Sequence, residues 1–526
     1  MTAPPDDAAP AGTEPSGWVL SDTDDPRVTA EQEHEDYTDH IVPLTARQPR
    51  RAVLGSWWSI ASAMAFLYYG VLAATLAGTK QALVGLIVVI VVSALLGACV
   101  SNASIRRGLN SMLLTREVFG VRGAVLTPLI CGLGALYYAV FESSVMAAAL
   151  QAYFQVLDIR VWYAVVIIGM TPLMLGGMQT WLTKLNSWSL PVFLVGVTAA
   201  VVVAALRFGW SGDWWDAGPA TPNPLPGWLT TFILYMGIWV LVPDTPEFAR
   251  FGRVQDKRFH AHVTFGWLFY LIAYGFSGIT GILIVALAAP GATIAESAVT
   301  TGIVASLGVV GLIVVIVSQI RINSANFYVA STCFERVVGH LSTRNLPRRA
   351  WVVLLAALTF LLMLTNVFSY IATALAWQGI VTVSWVGILV VHLMCVTPDP
   401  EIRASRLPAL TRGFAVWVIA AGIGLIALNA GPAPIAGLAP LISLAASVAL
   451  YLIQIRALRR SRGPASTHRD ARDAVADPWH TRTRCVTCGL SYTTYEMDAP
   501  ADHPDAPRCL ECQLRPAAPA RHLHTP

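Results

Sequence analysis

Charged residues are scarce in this sequence of 526 residues, of which only 13% are charged and 55% are hydrophobic. A soluble globular domain has about 25% charged residues, so this composition excludes most soluble folds. Lysine occurs only at positions 80, 184 and 257, and the other basic side chains are arginines. The net charge of +4 is small, and we predict no nucleic-acid partner.

Other missing patterns exclude further classes of protein. The 40 glycines and 32 prolines are too dispersed for collagen or a low-complexity chain. The short alternating segments of a membrane β-barrel are not seen. Residues 1–46 lack a basic start followed by an apolar stretch, so we expect no cleavable signal peptide there. The sequence shows no nucleophile–base pair and no phosphate-binding loop, and we expect a protein that is not an enzyme.

Long apolar stretches recur between about residues 52 and 456 and predict an all-α polytopic membrane protein. We predict a transmembrane domain over residues 47–456, between a disordered acidic tail (1–46) and a second polar tail (457–526). The domain should contain about twelve transmembrane helices, called spans 1 to 12 throughout. They are expected near residues 53–77, 82–101, 124–152, 161–180, 188–207, 228–247, 262–288, 302–334, 350–370, 373–396, 413–429 and 434–455.

Arginines are concentrated in every second loop. Examples are Arg106 and Arg107 after span 2, and Arg250 and Arg253 after span 6, whereas the intervening loops are poor in basic residues. Basic residues of short loops stay on the cytoplasmic side of a membrane. We therefore expect a multi-pass protein of the cytoplasmic (inner) membrane, in contact with the lipid bilayer, with both termini in the cytoplasm.

Two ionisable residues, Glu142 and Arg321, lie deep inside apolar stretches. A charge at the centre of a bilayer costs about 2.5–3.5 kcal/mol on insertion scales, so such side chains face a bundle interior or a water-filled cavity. One interpretation is a structural ion pair that joins two helices. The other, which we favour, places one or both residues on a substrate or ion path.

Further polar residues lie at helical spacing around these two. Tyr138 is one turn from Glu142, and an aromatic ring beside a carboxylate suits a flat heterocycle with N–H donors. Tyr138 taken alone is more typical of a packed helix interface. In span 8, Gln319, Asn323 and Asn326 recur on one face, which favours a polar cavity wall over amides that only join helices.

Span 6 contains helix-breaking residues. Gly237 and Trp239 are followed by Pro243 and Pro246. Interrupted helices expose backbone groups at the binding sites of transporters. The alternative is a helix that ends at Pro243.

Three segments together resemble the nucleobase:cation symporter family one, whose members carry cytosine, purines, hydantoins and allantoin. Residues 108–123 resemble its loop between spans 2 and 3, residues 246–251 resemble its motif after span 6, with Glu247 where the family has Asp, and span 8 shares its asparagines. The resemblance covers about residues 50–455. It implies a five-plus-five inverted repeat with broken helices 1 and 6, plus two extra helices.

The resemblance also implies site residues. Tyr138 falls where the family has a substrate-stacking Trp, and Glu142 falls where a Gln often binds the substrate. The second stacking aromatic falls on Ile238, so a one-residue shift is needed for Trp239 to take its place, and the sandwich is otherwise lost. Asn323 or Asn326 matches the amide of span 8 that binds substrate, and Gly237 lies in the break.

The family binds sodium between hydroxyl groups of span 8 and carbonyl groups of span 1. Placing Asn326 on the family's binding Asn puts Arg321 on one hydroxyl position, where a guanidinium would replace the cation. The coupling ion is then H⁺ rather than Na⁺, with Glu142 as proton carrier, or transport is uncoupled. The alternative is an Arg321 that reaches the membrane interface and leaves the cation site intact.

Half of the eight cysteines lie in the second tail, as two C-x₂-C pairs separated by 20 residues. Such paired knuckles complete tetrahedral Zn²⁺ coordination through four thiolates. We predict one Zn²⁺ in a zinc-ribbon-like module at 485–512, whose partner is unknown, with disulfides as the alternative. The ligands are Cys485, Cys488, Cys509 and Cys512.

These observations predict a secondary active transporter that imports a nucleobase-like small molecule, cytosine- or purine-like, by alternating access. One alternative is a carrier of allantoin, hydroxymethylpyrimidine or thiamine. A second is a membrane receptor with a transporter fold that signals through the zinc tail.

Overall fold

The computed structural model describes residues 17–34, 37, 40–175, 179–288, 290, 298–341, 346, 348–396, 407–461, 472, 475–499, 503 and 505–514. The described part is mostly helical. In chain order its α-helices are α1 (Pro26–His34), α2 (Arg50–Trp57), α3 (Ala65–Ala77), α4 (Thr79–Arg107), α5 (Ser111–Phe119), α6 (Leu126–Phe154), α7 (Ile159–Leu175), α8 (Gln179–Phe208), α9 (Asp213–Asp216), α10 (Gly227–Met236), α11 (Leu241–Ala249), α12 (Lys257–Phe259), α13 (Trp267–Tyr270), α14 (Ser277–Ala288), α15 (Ala298–Leu307), α16 (Val309–Leu341), α17 (Arg348–Met363), α18 (Ile371–Cys395), α19 (Arg412–Ala430), α20 (Ala433–Gly437), α21 (Ala439–Ser461) and α22 (Leu510–Leu514). Two π-helical stretches, His260–Thr264 and Leu271–Phe276, lie within span 7.

Within the described residues, eight helical segments are long and apolar enough to cross a membrane, and two bent helix pairs raise the number to ten. The eight segments are Thr79–Arg107, Gly123–Phe154, Ser189–Phe208, Val254–Ala288, Val309–Gly339, Phe368–Cys395, Arg412–Ala430 and Ala439–Ala457. The all-α polytopic architecture expected from the sequence is therefore confirmed. Two of the twelve expected spans, 4 and 9, correspond to the shorter apolar helices α7 and α17.

Spans 1 and 6 are the two bent pairs, and each bends by 48° at its break. In span 1, α2 passes through a 3₁₀ turn (Trp58–Ser62) into extended backbone at Ala63 before α3 begins. The hydroxyl groups of Ser59 and Ser62 donate to main-chain carbonyls three residues earlier, which competes with regular helix bonding. In span 6, Pro243 lacks an N–H and clashes with a preceding carbonyl, so α10 and α11 cannot form one straight helix.

Span 8 differs from its predicted boundaries. The stretch expected at 302–334 contains the end of α15 and most of the separate helix α16, and Gly308 between them has a positive φ of 60°. Glycine adopts this conformation without a steric penalty, so the apolar run turns there. Span 8 is therefore α16, and it begins at Val309.

Glycines bring neighbouring spans into close contact. A Cβ atom added to Gly70 on α3 would lie 2.3 Å from the Cα of Gly278 on α14. Small residues at such crossings let two backbones approach each other in a membrane protein. The α6 and α16 helices form the most extensive helix pair in the described part of the chain, and they carry most of the polar residues predicted for the site.

Both tails contribute to one folded unit, which we call the terminal module: β1 (Leu20–Ser21), α1, and the described residues of 475–514. β1 pairs antiparallel with β2 (Arg482–Arg484), which pairs with β3 (Ser491–Thr493). Leu20–Ser21 and Pro26–His34 thus form a strand and a helix within the tail that the sequence predicted to be disordered, whereas residues 1–16 lie outside the described residues. Because the two tails share a sheet, both lie on the same face of the helical bundle, which requires an even number of membrane crossings.

Candidate functional site at the helix breaks

The carboxylate of Glu142 lies at the break in span 1. The side chain is buried, and its Oε1 accepts a hydrogen bond from the backbone N–H of Ala65, the first residue of α3, over 3.4 Å. The first N–H groups of a helix have no partner within the helix and carry a partial positive charge. The start of α3 therefore supplies a hydrogen-bond donor to the carboxyl group of Glu142.

Gln319 on α16 completes this contact. In the orientation that satisfies both ends of its amide, Gln319 donates to Glu142 Oε2 over 2.5 Å and accepts from the backbone N–H of Met64 at 3.3 Å. One turn further along α16, Asn323 donates to Ser143 Oγ on α6 over 2.7 Å. Glu142, Gln319 and Asn323 are thus brought together where spans 1, 3 and 8 meet.

Two amide atoms near this network have no hydrogen-bond partner within the described residues. They are Oδ1 of Asn323 and Nδ2 of Asn326. Buried polar atoms are nearly always paired in folded proteins, so these two amide atoms are available to bind a ligand or water. The amide stripe predicted on span 8 therefore offers a free acceptor and a free donor on adjacent turns.

Tyr138 lies on the same helix as Glu142 but near the break in span 6. Its hydroxyl accepts a long hydrogen bond of 3.4 Å from Gln378 on α18, and the same Gln378 nitrogen donates to the carbonyl of Gly237 over 2.8 Å. Gly237 is the residue after α10, so its carbonyl belongs to the interrupted part of span 6. Tyr138, Gly237 and Gln378 therefore form a second group, one helical turn from Glu142.

Gln378 was not identified from the sequence. Gln378 is an amide side chain within a long apolar span. The same pattern identified the amides of span 8, so it could also have identified Gln378. A ring cluster next to the site was also not identified. Tyr68 stacks on Phe368 with ring centres 5.7 Å apart and meets Phe141 edge-on at 5.3 Å.

Trp239 does not join these groups. Its indole N–H donates to Ser93 Oγ on α4 over 3.2 Å, and its ring packs edge-on against Phe232. The preceding residue, Ile238, is the one buried in the core cluster that includes Tyr138. The one-residue shift that would bring Trp239 opposite Tyr138 is therefore not observed, because Trp239 occupies a separate core with Met236 and Trp385.

Arg321 also lies apart from Glu142. Its guanidinium is buried, donating to Ser189 Oγ on α8 over 2.6 Å and to the carbonyl of Gly55 on α2 over 3.4 Å. Among the described residues no salt bridge joins it to Glu142. The side chain connects spans 1, 5 and 8, and its partner Gly55 precedes the break at Ala63 by two helical turns.

The two motifs after spans 2 and 6 contact each other. Glu247 accepts hydrogen bonds from the N–H and the hydroxyl of Ser111, at 3.2 and 3.0 Å, and lies 3.6 Å from Arg250 and 3.7 Å from Arg336. Ser111 also donates to the carbonyl of Pro243. This polar network joins spans 6 and 8 to the start of α5 on the face that carries the tails.

The four cysteines of the second tail converge in the terminal module. The sulfur atoms of Cys485, Cys488, Cys509 and Cys512 all lie within 4.8 Å of one another, and no disulfide joins them. A Zn²⁺ with Zn–S bonds of about 2.3 Å places its four sulfurs roughly 3.8 Å apart. The N–H of Cys509 donates to the sulfur of Cys485 over 3.4 Å, which favours a thiolate. These residues fit a tetrahedral metal site.

Comparisons with known proteins show the fold. The chain matches no model of a protein family and no curated protein sequence. It does match solved structures of transporters. The inward-facing conformation of Mhp1 aligns with a TM-score of 0.66 at 16% identity, over 80% of this chain and 93% of Mhp1.

Two further structures agree. A closed conformation of Mhp1, described as a nucleobase-cation-symport-1 family transporter with bromovinylhydantoin bound, aligns with a TM-score of 0.63 at 14% identity, over 83% of this chain and 98% of that one. A Na⁺-coupled sialic acid symporter in a substrate-bound outward-open state aligns with a TM-score of 0.57 at 13% identity, over 82% and 96%. The chain therefore has the fold of these secondary transporters.

Proposed function

We propose that the protein is a secondary transporter that imports a nucleobase or a related nitrogen heterocycle by alternating access. The observation that carries this proposal is the position of Glu142 at the break of span 1, with Gln319 beside it and the break of span 6 one helical turn away. Buried polar groups at two broken helices are the arrangement in which transporters of this kind bind substrates. The heterocycle bound to Mhp1 supports the same substrate class.

The hydrogen-bonding capacity of Glu142 favours a substrate that donates. A carboxylate offers about four lone-pair sites, and the protein supplies two donors, from Ala65 and Gln319. The remaining sites suit the N–H groups of an aminopyrimidine or a purine. Asn323 and Asn326 supply the matching acceptor and donor, and Tyr138 supplies an aromatic face.

We also propose that transport does not use sodium. The guanidinium of Arg321 places a fixed positive charge between spans 1, 5 and 8, and a second cation there would be repelled. Glu142 is then the side chain best placed to carry a coupling proton. The arginine-rich loops support insertion into a cytoplasmic membrane with the tails inside.

Uptake into proteoliposomes tests the proposal. The panel contains cytosine, purines, hydantoins, allantoin, hydroxymethylpyrimidine and thiamine, each in labelled form. Purified full-length protein should accumulate at least one of the cytosine, purine or hydantoin compounds, and the same compound without label should compete. Empty liposomes are the control. Uptake of allantoin or a thiamine precursor alone would replace the substrate assignment, and binding without uptake of any compound would indicate a receptor.

A further inference from the structure

The terminal module combines parts from both ends of the chain. Trp18 and Val28 of the first tail are buried in one cluster with Leu490, Tyr492 and Met497 of the second tail, and Cys485 and Cys509 belong to the same cluster. Outside this cluster, Asp24 accepts a hydrogen bond of 2.5 Å from Arg482. The four-cysteine site therefore lies against the core in which the two tails meet.

A short segment, residues 40–48, connects this module to the membrane domain, and we call it the strap. Its first residue, His40, is buried, with Nδ1 2.5 Å from Glu496 Oε1 and its ring stacked on Tyr492 at 5.1 Å. Tyr492 and Glu496 lie between the two cysteine pairs in sequence. One end of the strap is therefore held by the metal-binding part of the module.

The rest of the strap is bonded to the ends of spans 2 and 6. The N–H of Val42 donates to the carbonyl of Gly108 over 3.0 Å, and the N–H of Gln48 donates to the carbonyl of Phe251 over 2.7 Å. The buried guanidinium of Arg47 donates to the carbonyls of Ile105 and Gly252 at 2.7 and 2.8 Å. Residues 250–252 follow α11, the second half of broken span 6.

Arg47 stays protonated at neutral pH and so keeps the N–H donors that make this attachment. Burial lowers the pKa of Arg47 to about 10, which still leaves the guanidinium protonated. Its N–H groups meet helix-terminal carbonyls, which carry partial negative charge. The module has a second contact with the membrane domain, because Leu510, beside the metal ligand Cys509, is buried in the cluster that contains Ile41 of the strap and Tyr451 of span 12.

We propose that Cys485, Cys488, Cys509 and Cys512 bind one Zn²⁺ and that the zinc-bound module latches the strap onto the ends of spans 2 and 6. So small a module has too little core to fold without its metal. Loss of zinc therefore releases His40, and with it the strap. We expect the transporter to open more slowly on this face while zinc is bound, and this expectation rests on the proposed function. Zinc binding and the latch do not rest on it.

Hydrogen exchange and metal analysis of the full-length protein in lipid nanodiscs test the latch without any substrate. Wild-type protein should contain one equivalent of zinc per chain. The double variant Cys485→Ser/Cys488→Ser should lose the zinc, and exchange at the amides of Val42 and Gln48 should accelerate at least about tenfold. The matched control, Cys99→Ser/Cys395→Ser, removes two cysteines elsewhere and should change neither quantity.

A second pair of variants separates the latch from metal binding. His40→Ala should keep the zinc but accelerate exchange in the strap, whereas His480→Ala, which removes an exposed histidine of the same module, should not. Unchanged exchange along α6 would show that the membrane domain stays folded in each variant. Absence of zinc from wild-type protein would refute the site, and zinc loss with an unchanged strap would refute the latch.

Discussion

At the scale of single residues, Glu142 is the side chain whose chemistry is most constrained. Its carboxylate has a helix N-terminus on one oxygen and an amide on the other. Replacing the carboxylate by an amide keeps the shape but removes the charge and half of the acceptor capacity. The effect should therefore be larger on substrate choice than on folding.

We expect Glu142→Gln to weaken binding of donor-rich bases by about 1.5–3 kcal/mol, the contribution of a hydrogen bond to a charged group. Binding measured by calorimetry on purified protein checks this, with thermal unfolding as the test of folding. Glu117→Gln is the matched control, because Glu117 contacts His392 on α18, away from the helix breaks. Wild-type affinity for every base in the Glu142→Gln variant would make Glu142 a structural residue.

Arg321 leads to a prediction about ions. Uptake should be equal in sodium and choline buffers, because the guanidinium already supplies the positive charge between spans 1 and 8. If a proton is the coupling ion, an inward proton gradient should increase uptake, and a protonophore should abolish the increase. Saturable dependence on sodium would contradict the substitution and would place the cation site elsewhere on α16.

The sequence pointed to several polar residues that the structure brings together at the helix breaks, but not to their partners. Glu142, Gln319 and Asn323 were identifiable because a polar side chain in an apolar helix needs a partner, and helical spacing shows which ones share a face. The direction of Trp239 could not be predicted, since the backbone rotation within a helix break does not follow a 3.6-residue period. To identify Gln378, one would have to know that α18 lies opposite Gly237.

At the scale of helices, crossings between glycines set how closely spans approach. The Cβ of an alanine at Gly70 would meet the backbone of Gly278, which cannot move aside as a flexible side chain would. The α3 and α14 helices would have to separate. Because α3 provides the N–H group that contacts Glu142, the separation would also disturb the site.

We therefore expect Gly70→Ala to destabilise the protein by about 1–3 kcal/mol, the usual cost of overpacking. A lower midpoint of thermal unfolding in detergent would show this. Gly169→Ala on α7 is the control, since nothing lies within 4 Å of the added Cβ, and its midpoint should equal or slightly exceed that of wild-type protein because alanine favours a helix more than glycine does. An unchanged midpoint for Gly70→Ala would mean that the two helices can slide apart without cost.

The positions of the helices were more predictable than their ends. Apolar length indicated the spans, and Pro243 indicated the break in span 6. The start of span 8 was misplaced because α15 and α16 are both apolar and only Gly308 separates them. The break in span 1 has no proline, and it depends on serine hydroxyls that compete locally for carbonyls.

At the scale of the whole molecule, the terminal module was only half predictable. The spacing of the cysteines indicated a metal site, because its ligands are close in sequence. The pairing of β1 with β2 was not indicated, since strands of two and three residues give no periodic signal. An acidic segment without apolar periodicity becomes ordered here by contact with a partner from the other end of the chain.

That pairing has a consequence for how the protein is made. Asp24 and Arg482 are 458 positions apart in the chain. At about 5–20 residues per second, a ribosome needs roughly half a minute to a minute and a half to synthesise the interval. Throughout that time the second tail is not yet available to pair with the first tail, while the spans insert one after another. The terminal module can form only after translation has passed the last cysteine. In a nascent or truncated chain, the amino-terminal segment therefore remains unpaired.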